Sequence, residues 1–234
     1  MVLLAAVAVG GAIQGTIGFV FALVAVPVLA LLRPGSVPVT PLFIALPMVV
    51  GMAVRERSHI DLRGFAWIVG GRVLGTAAGV WILVSVPTDR LSVLLGVLIL
   101  LAAALSAVGV PINPSPARNF GAGMVSGVMG TTSSIGGPAL PVVYQRRPGP
   151  EIRATLALSF VVGLIMSIGA LLLAGRVHRW KIGLALGLIP ALMVGLWAGG
   201  RLSKRLDQRW LRPAVLAFAA AAGVVIVVRG LLGA

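Results

Sequence analysis

"GMVSGVMGTTSSIGGP", residues 123–138, is the stretch that decides how this chain folds. Almost everything around it is Ala, Val, Leu, Ile or Gly. Inside it four hydroxyl residues stand in a row, Thr131, Thr132, Ser133 and Ser134, with Gly130 before them, Gly136 and Gly137 after, and Pro138 behind. A polar, glycine-flanked patch inside an apolar run predicts a helix break. The stretch also has a copy. "GAIQGTIG" (Gly11 to Gly18) aligns with "GMVSGVMG" (Gly123 to Gly130), all three glycines at an offset of 112. Further on, "VLGTAAG" (Val73 to Gly79) aligns with "MVGLWAG" (Met193 to Gly199) at an offset of 120. The chain therefore reads as two related halves, an organisation common among secondary transporters.

Composition sets the class. The 234 residues are 59% hydrophobic and 10% charged, with mean hydropathy +1.10. Soluble domains carry about 25% charged residues, so the chain reads as a polytopic, all-α membrane protein with no separate soluble domain. The apolar start "MVLLAAVAVGGAIQG" has no positive n-region and reads as part of the mature protein. The net charge of +14 comes from arginines in short loops between apolar segments. That pattern fits topology signalling and interfacial snorkelling, and nucleic-acid binding is not expected. There are no cysteines, so thiolate metal sites and disulfides are excluded.

Charges and prolines cut the chain into apolar segments at roughly 2–32, 39–54, 64–86, 91–110, 118–145, 154–175, 182–200 and 211–232. Four fall in an N-terminal repeat (1–110) and four in a C-terminal repeat (117–234). The linker 111–116 lies within the proline-rich "GVPINPSPARN" (Gly109 to Asn119). The first and fifth segments are the long ones, and both are interrupted near the centre.

Charge tests two topologies. If all eight segments span once, the Lys/Arg residues divide 10 against 8, which decides nothing. If segments 1 and 5 are re-entrant hairpins, each leg is about 14 residues, roughly 21 Å, and too short to cross ~30 Å of hydrocarbon. Arg55, Arg57, Arg63, Arg118, Arg146, Arg147, Arg153, Arg201, Lys204, Arg205, Arg209 and Arg212 then share one side. Arg33, Arg90, Arg176, Arg179, Lys181 and Arg229 share the other. This 12-against-6 bias is usable and is the preferred arrangement. It predicts two inverted repeats, each a re-entrant or broken helical hairpin plus three transmembrane helices, with both termini outside. Breaks at matching positions point to a binding site.

The candidate substrate-binding residues are those of the breaks. In the second half they are Gly130, Thr131, Thr132, Ser133, Ser134, Gly136 and Gly137, where hydroxyls donate without burying a charge. A helix starting at Pro138 would aim its N–H groups at the break. In the first half they are Gln14, Gly15, Thr16 and Gly18. Arg72, inside the third segment, is a further candidate, since an intramembrane charge is functional by default. The rival readings are a Ser/Thr kink, plain helix-packing glycines, and an arginine that snorkels partway. Gly11/Gly15, Gly71/Gly75/Gly79, Gly123/Gly127 and Gly195/Gly199 have small-xxx-small spacing, which suits helix–helix contact. All five acids (Glu56, Asp61, Asp89, Glu151, Asp207) fall at loops or segment ends. His59 and His178 lack well-spaced partners. No catalytic centre, metal or cofactor is expected.

"GGAIQGTIGFVFALVAVP" (Gly10 to Pro27), its counterpart "GAGMVSGVMGTTSSIGGPALP" (Gly121 to Pro141) and the two-half layout resemble the TauE/SafE family of bacterial permeases. The resemblance spans essentially the whole chain. It implies a multi-pass protein of the bacterial cytoplasmic membrane that moves small sulfur-containing anions such as sulfite, sulfoacetate and related organosulfonates. The expected partners are that anion and the lipid bilayer, and a homodimer is left open. The alternatives to a transporter are a passive anion channel and a non-transporting scaffold subunit.

Overall fold

The computed structural model describes residues 1–17, 20–87, 90–107, 114–144, 146–202 and 208–233. These form helices, with no strand among the described residues. They are α1 (Val2–Ile17), α2 (Phe21–Leu32), α3 (Val39–Arg55), α4 (Leu62–Ser85), α5 (Leu91–Ala107), α6 (Pro116–Ser133), α7 (Ala139–Tyr144), α8 (Gly149–Leu173), α9 (Arg179–Leu202) and α10 (Gln208–Leu231). A 3-10 turn at Pro34–Ser36 joins α2 to α3. α4, α8, α9 and α10 are each long and apolar enough to cross a bilayer. α1, α2, α3 and α5 are shorter apolar helices.

The exterior is greasy and the interior is partly polar. Trp81, Leu186, Val194 and Trp197 are more than half exposed, while Arg72, Ser126, Thr131, Thr132, Ser133 and Ser167 are buried. Large apolar surfaces of this kind are rare on soluble monomers and suit lipid.

Two helix pairs approach backbone to backbone. A β-carbon added at Gly71 or Gly75 of α4 would collide with the carbonyls of Phe120 and Met124 on α6, and one at Gly123 with the carbonyl of Ile68. The same relation holds between α9 and α1. Added carbons at Gly195 and Gly199 would strike the carbonyls of Ala8 and Ala12, and one at Gly11 would lie 2.8 Å from the Leu192 carbonyl. Small residues at four-residue spacing allow this approach, as in other membrane helix pairs. α5 packs on α10 and α3 on α8. The first helix of each half thus lies on a glycine face of the other half.

The ends of the helices locate the chain's path. Asp61 caps α4, its Oδ1 accepting from the Gly64 N–H at 2.9 Å. At the same end Tyr144, closing α7, donates to Asp61 Oδ2 (3.0 Å), and Asn119, in the first turn of α6, donates to Tyr144 (3.5 Å). α6 therefore starts, and α7 finishes, beside the start of α4. At the opposite end Arg176 donates to the Leu83 carbonyl (3.2 Å), and Thr40 donates to the carbonyl of Lys181 (3.0 Å).

The two breaks differ from the sequence expectation in detail. α1 continues helically through Gln14, Gly15 and Thr16, so its break falls after Ile17. Thr131, Thr132 and Ser133 form the last turn of α6, and the break begins at Ser134, which is left-handed (φ 64°). The physical reason is local. The hydroxyls of Thr132 and Ser133 donate back to the carbonyls of Val128 (2.7 Å) and Met129 (2.8 Å), four residues earlier, which a helix accommodates. α7 follows Pro138 with six residues.

Adding one methyl group tests the backbone contact. Gly75→Ala should cost roughly 1–3 kcal/mol, as overpacking does. Gly121→Ala, with no atom within 4 Å of the added carbon, should stay within about 0.5 kcal/mol. Thermal unfolding of both in one detergent checks this, and equal melting temperatures would sink the account.

Candidate functional site

Residues of α1, α2, α3, α4, α6 and α8, with Ser134, Gly136 and Gly137, line a cavity of about 90 Å3. A water needs roughly 10–15 Å3 of such space, so the cavity has room for a small oxyanion. Most of its wall is apolar, with Phe21, Met48, Met52 and Phe160 among the contributors. The polar part comes from Gln14, Arg72 and Ser134, and from the glycines at 130, 136 and 137. Both halves of the chain contribute.

Among the described residues Arg72 is the only charge on that wall. It lies eleven residues from the cap Asp61 and thirteen from Ser85 at the far end of α4, roughly 16 Å and 20 Å along the helix. Its side chain is 3% exposed, so it does not snorkel. Nη1 donates to Ser126 Oγ (2.8 Å), and that hydroxyl donates to the Gly136 carbonyl (2.6 Å). Nε has no hydrogen-bond partner among the described residues. The guanidinium rests against Gly163 of α8, where a β-carbon would overlap it, and against Gly130. The ion pairs Arg147–Glu151 and Arg153–Glu56 do not involve Arg72. A buried arginine remains charged, and burying an uncompensated charge costs several kcal/mol.

Of the residues expected at the site, Gln14, Arg72, Gly130, Ser134, Gly136 and Gly137 come together at this cavity. Gly15, Thr16, Thr131, Thr132 and Ser133 are not part of its wall. Gly15 packs on the Leu196 carbonyl of α9, and Thr16 Oγ1 donates to the Ala12 carbonyl (2.9 Å). Thr131 shares a hydrogen bond with Ser167 of α8 (2.9 Å). Gly18 lies outside the described residues. Ser134 reaches the cavity while its hydroxyl donates to the Pro38 carbonyl (2.6 Å). Gln14 Oε1 accepts from the N–H groups of Val20 (2.7 Å) and Phe21 (2.9 Å), so it caps α2 and holds the hairpin closed.

Sequence reasoning missed Ser126 and Gly163. Ser126 was within reach of it, because the 112-residue offset aligns it with Gln14. Both residues tie the first leg of a hairpin to the start of the second, Gln14 through its amide oxygen and Ser126 through its hydroxyl. Gly163 carries no such signal. Its role depends on where Arg72 points, which is a tertiary fact. The 120-residue offset places Leu192 opposite Arg72, so the second half has no matching charge.

No curated protein and no solved structure gives a significant match to the chain. The family model described as Sulfite exporter TauE/SafE matches residues 2–226 of the 234. A nearly full-length match to that family agrees with an all-helical, lipid-suited body, and the chain belongs to the TauE/SafE sulfite exporter family.

Proposed function

We propose that this chain exports small sulfur-containing oxyanions, such as sulfite, sulfoacetate or a related organosulfonate, and binds them beside Arg72 between the two hairpin tips. One observation carries the reading: a permanently charged guanidinium, 3% exposed, faces a cavity and has no carboxylate partner among the described residues. An anion in the cavity supplies the missing countercharge. Nε of Arg72, unpaired among the described residues, offers it an N–H donor. A sulfonate or sulfite presents a fork of oxygens that suits a guanidinium. The apolar remainder of the wall keeps water away and strengthens that attraction.

Two inverted repeats supply the architecture. Each contributes a hairpin and three longer helices. The hairpin of the first half opens toward the Lys181 end and that of the second toward the Asp61 end. The parallel pairing of α1 with α9 and of α6 with α4 supports this. In a bacterial cytoplasmic membrane the twelve-cation side, with Arg63, Arg147 and Arg153, then faces the cytoplasm. Access alternates as one half rocks on the other. Gln14, Ser134 and the glycines at 130, 136 and 137 shape the site, while Gly15, Thr16, Thr131, Thr132 and Ser133 hold the breaks in place. Export follows from charge: an inside-negative potential favours outward movement of a monovalent anion by about 2.3 kcal/mol per 100 mV.

Arg72→Gln should abolish sulfite flux in proteoliposomes, by about 100-fold or more, without lowering the melting temperature, because it removes an uncompensated buried charge. A purely structural arginine would show the opposite pattern, lost stability with flux retained per folded molecule. Gly163→Ala keeps Arg72 but displaces its head group, so it should lose flux in parallel. Normal flux in that variant would remove the guanidinium from the path. Outward flux of labelled sulfite should rise as the interior is made more negative. Flux indifferent to voltage would refute charge-driven export, and rates far above thousands per second would mean a pore.

A further inference from the structure

A second cavity, of about 250 Å3, lies at the end of the bundle opposite Asp61. Its basic character is built by a turn. α8 ends in a Schellman motif, with Gly175 left-handed (φ 66°), the Gly175 N–H on the Leu172 carbonyl and the Arg176 N–H on that of Leu171, each at 3.0 Å. This reversal carries Arg176 over the end of α4, where its Nη2 donates to Leu83 O (3.2 Å). In the first turn of α9, Lys181 Nζ donates to the carbonyl of Arg176 (3.0 Å) and stands 5.6 Å from the centre of the Trp180 ring. Two half-buried cations thus line one pocket, and no acidic residue lines it among the described residues. Like charges held together in a partly desolvated pocket repel each other unless an anion joins them.

This pocket also borders the central cavity. Pro38 lines it, and the carbonyl of Pro38 accepts from Ser134, which lines the cavity holding Arg72. The partition is one hydrogen bond thick at that point. Eleven residues of α4 separate Arg72 from Leu83, roughly 16 Å of rise, so one ion cannot occupy both places at once.

Resting on the transport function proposed above, we infer that the Arg176–Lys181 pocket is a second oxyanion site, a vestibule on the same route, reached when the Ser134–Pro38 contact parts. Its larger volume suits an anion that still carries water, whereas the central cavity takes one stripped of most of it.

Trp180 reports on the vestibule, since its ring lies within 3.9 Å of a β-carbon built at Gly35 on the pocket wall. The full chain is prepared with Trp67, Trp81, Trp197 and Trp210 changed to Phe. Its Trp180 emission is titrated with sulfite, with chloride as the ionic-strength control. The expected result is a saturable, sulfite-specific response that survives Arg72→Gln. Lys181→Gln should weaken it by at least about tenfold, the size of one charge-assisted hydrogen bond, and Lys181→Arg should restore it. In flux measurements Lys181→Gln should raise the half-saturating sulfite concentration on the vestibule side only. The vestibule is refuted if Arg72→Gln removes the Trp180 response, if Lys181→Gln leaves its midpoint unchanged, or if chloride gives the same curve. Retained flux in Arg72→Gln would instead overturn the central site, and the Trp180 titration would still decide the vestibule.

Discussion

Hydrocarbon offers no hydrogen-bond partner, so a chain that breaks a helix within it must enclose the break in protein. That requirement governs the whole molecule. α1 and α6 each end where the chain turns into a second, shorter helix, and both are packed by the same device. The first leg of each hairpin lies directly on a glycine face of a long helix from the other half, α6 on α4 and α1 on α9. At such distances there is no room for a β-carbon. The glycines of "VLGTAAG" and "MVGLWAG" are therefore the condition on which both breaks rest.

Within that frame the two tips are closed differently. Gln14 reaches from the last turn of α1 and accepts two N–H groups at the start of α2. Ser126 stands at the equivalent position of α6 but has a short side chain. It donates to the Gly136 carbonyl and keeps a lone pair for Arg72. The long amide spends its oxygen on closing its own hairpin. The short hydroxyl does that job and also bridges to α4, so the charged residue belongs to the tip closed by Ser126.

Much of this was legible in the sequence. The hydroxyl run marked the end of α6 to within a few residues. The role of the run was less legible. A row of four hydroxyls reads as a set of donors for a ligand, yet Thr132 and Ser133 donate to carbonyls one turn back, Thr131 meets Ser167 and Ser134 holds Pro38. Side-chain direction at the end of a helix depends on neighbours that the local sequence does not name. Arg72 drew attention as a charge at depth. Its lack of a carboxylate, its seat against Gly163 and its bond to Ser126 involve helices far apart in the chain, and no spacing rule reaches that far.

In the inverted repeat proposed above, Arg72 has no charged counterpart in the other half, and that asymmetry bears on the proposed transport. If both halves carried an arginine at the equivalent position, two guanidinium groups would flank the tips, and an anion bound between them would leave slowly. With Leu192 at the position of the second half that aligns with Arg72, the described wall of the cavity holds one positive charge and is apolar over most of the rest. In the proposed mechanism a monovalent anion is neutralised there without being trapped. Release toward the Lys181 end then needs only a second, wetter place for the charge to go. The pocket of Arg176 and Lys181 provides one, and it shares a wall with the first site through Ser134 and Pro38.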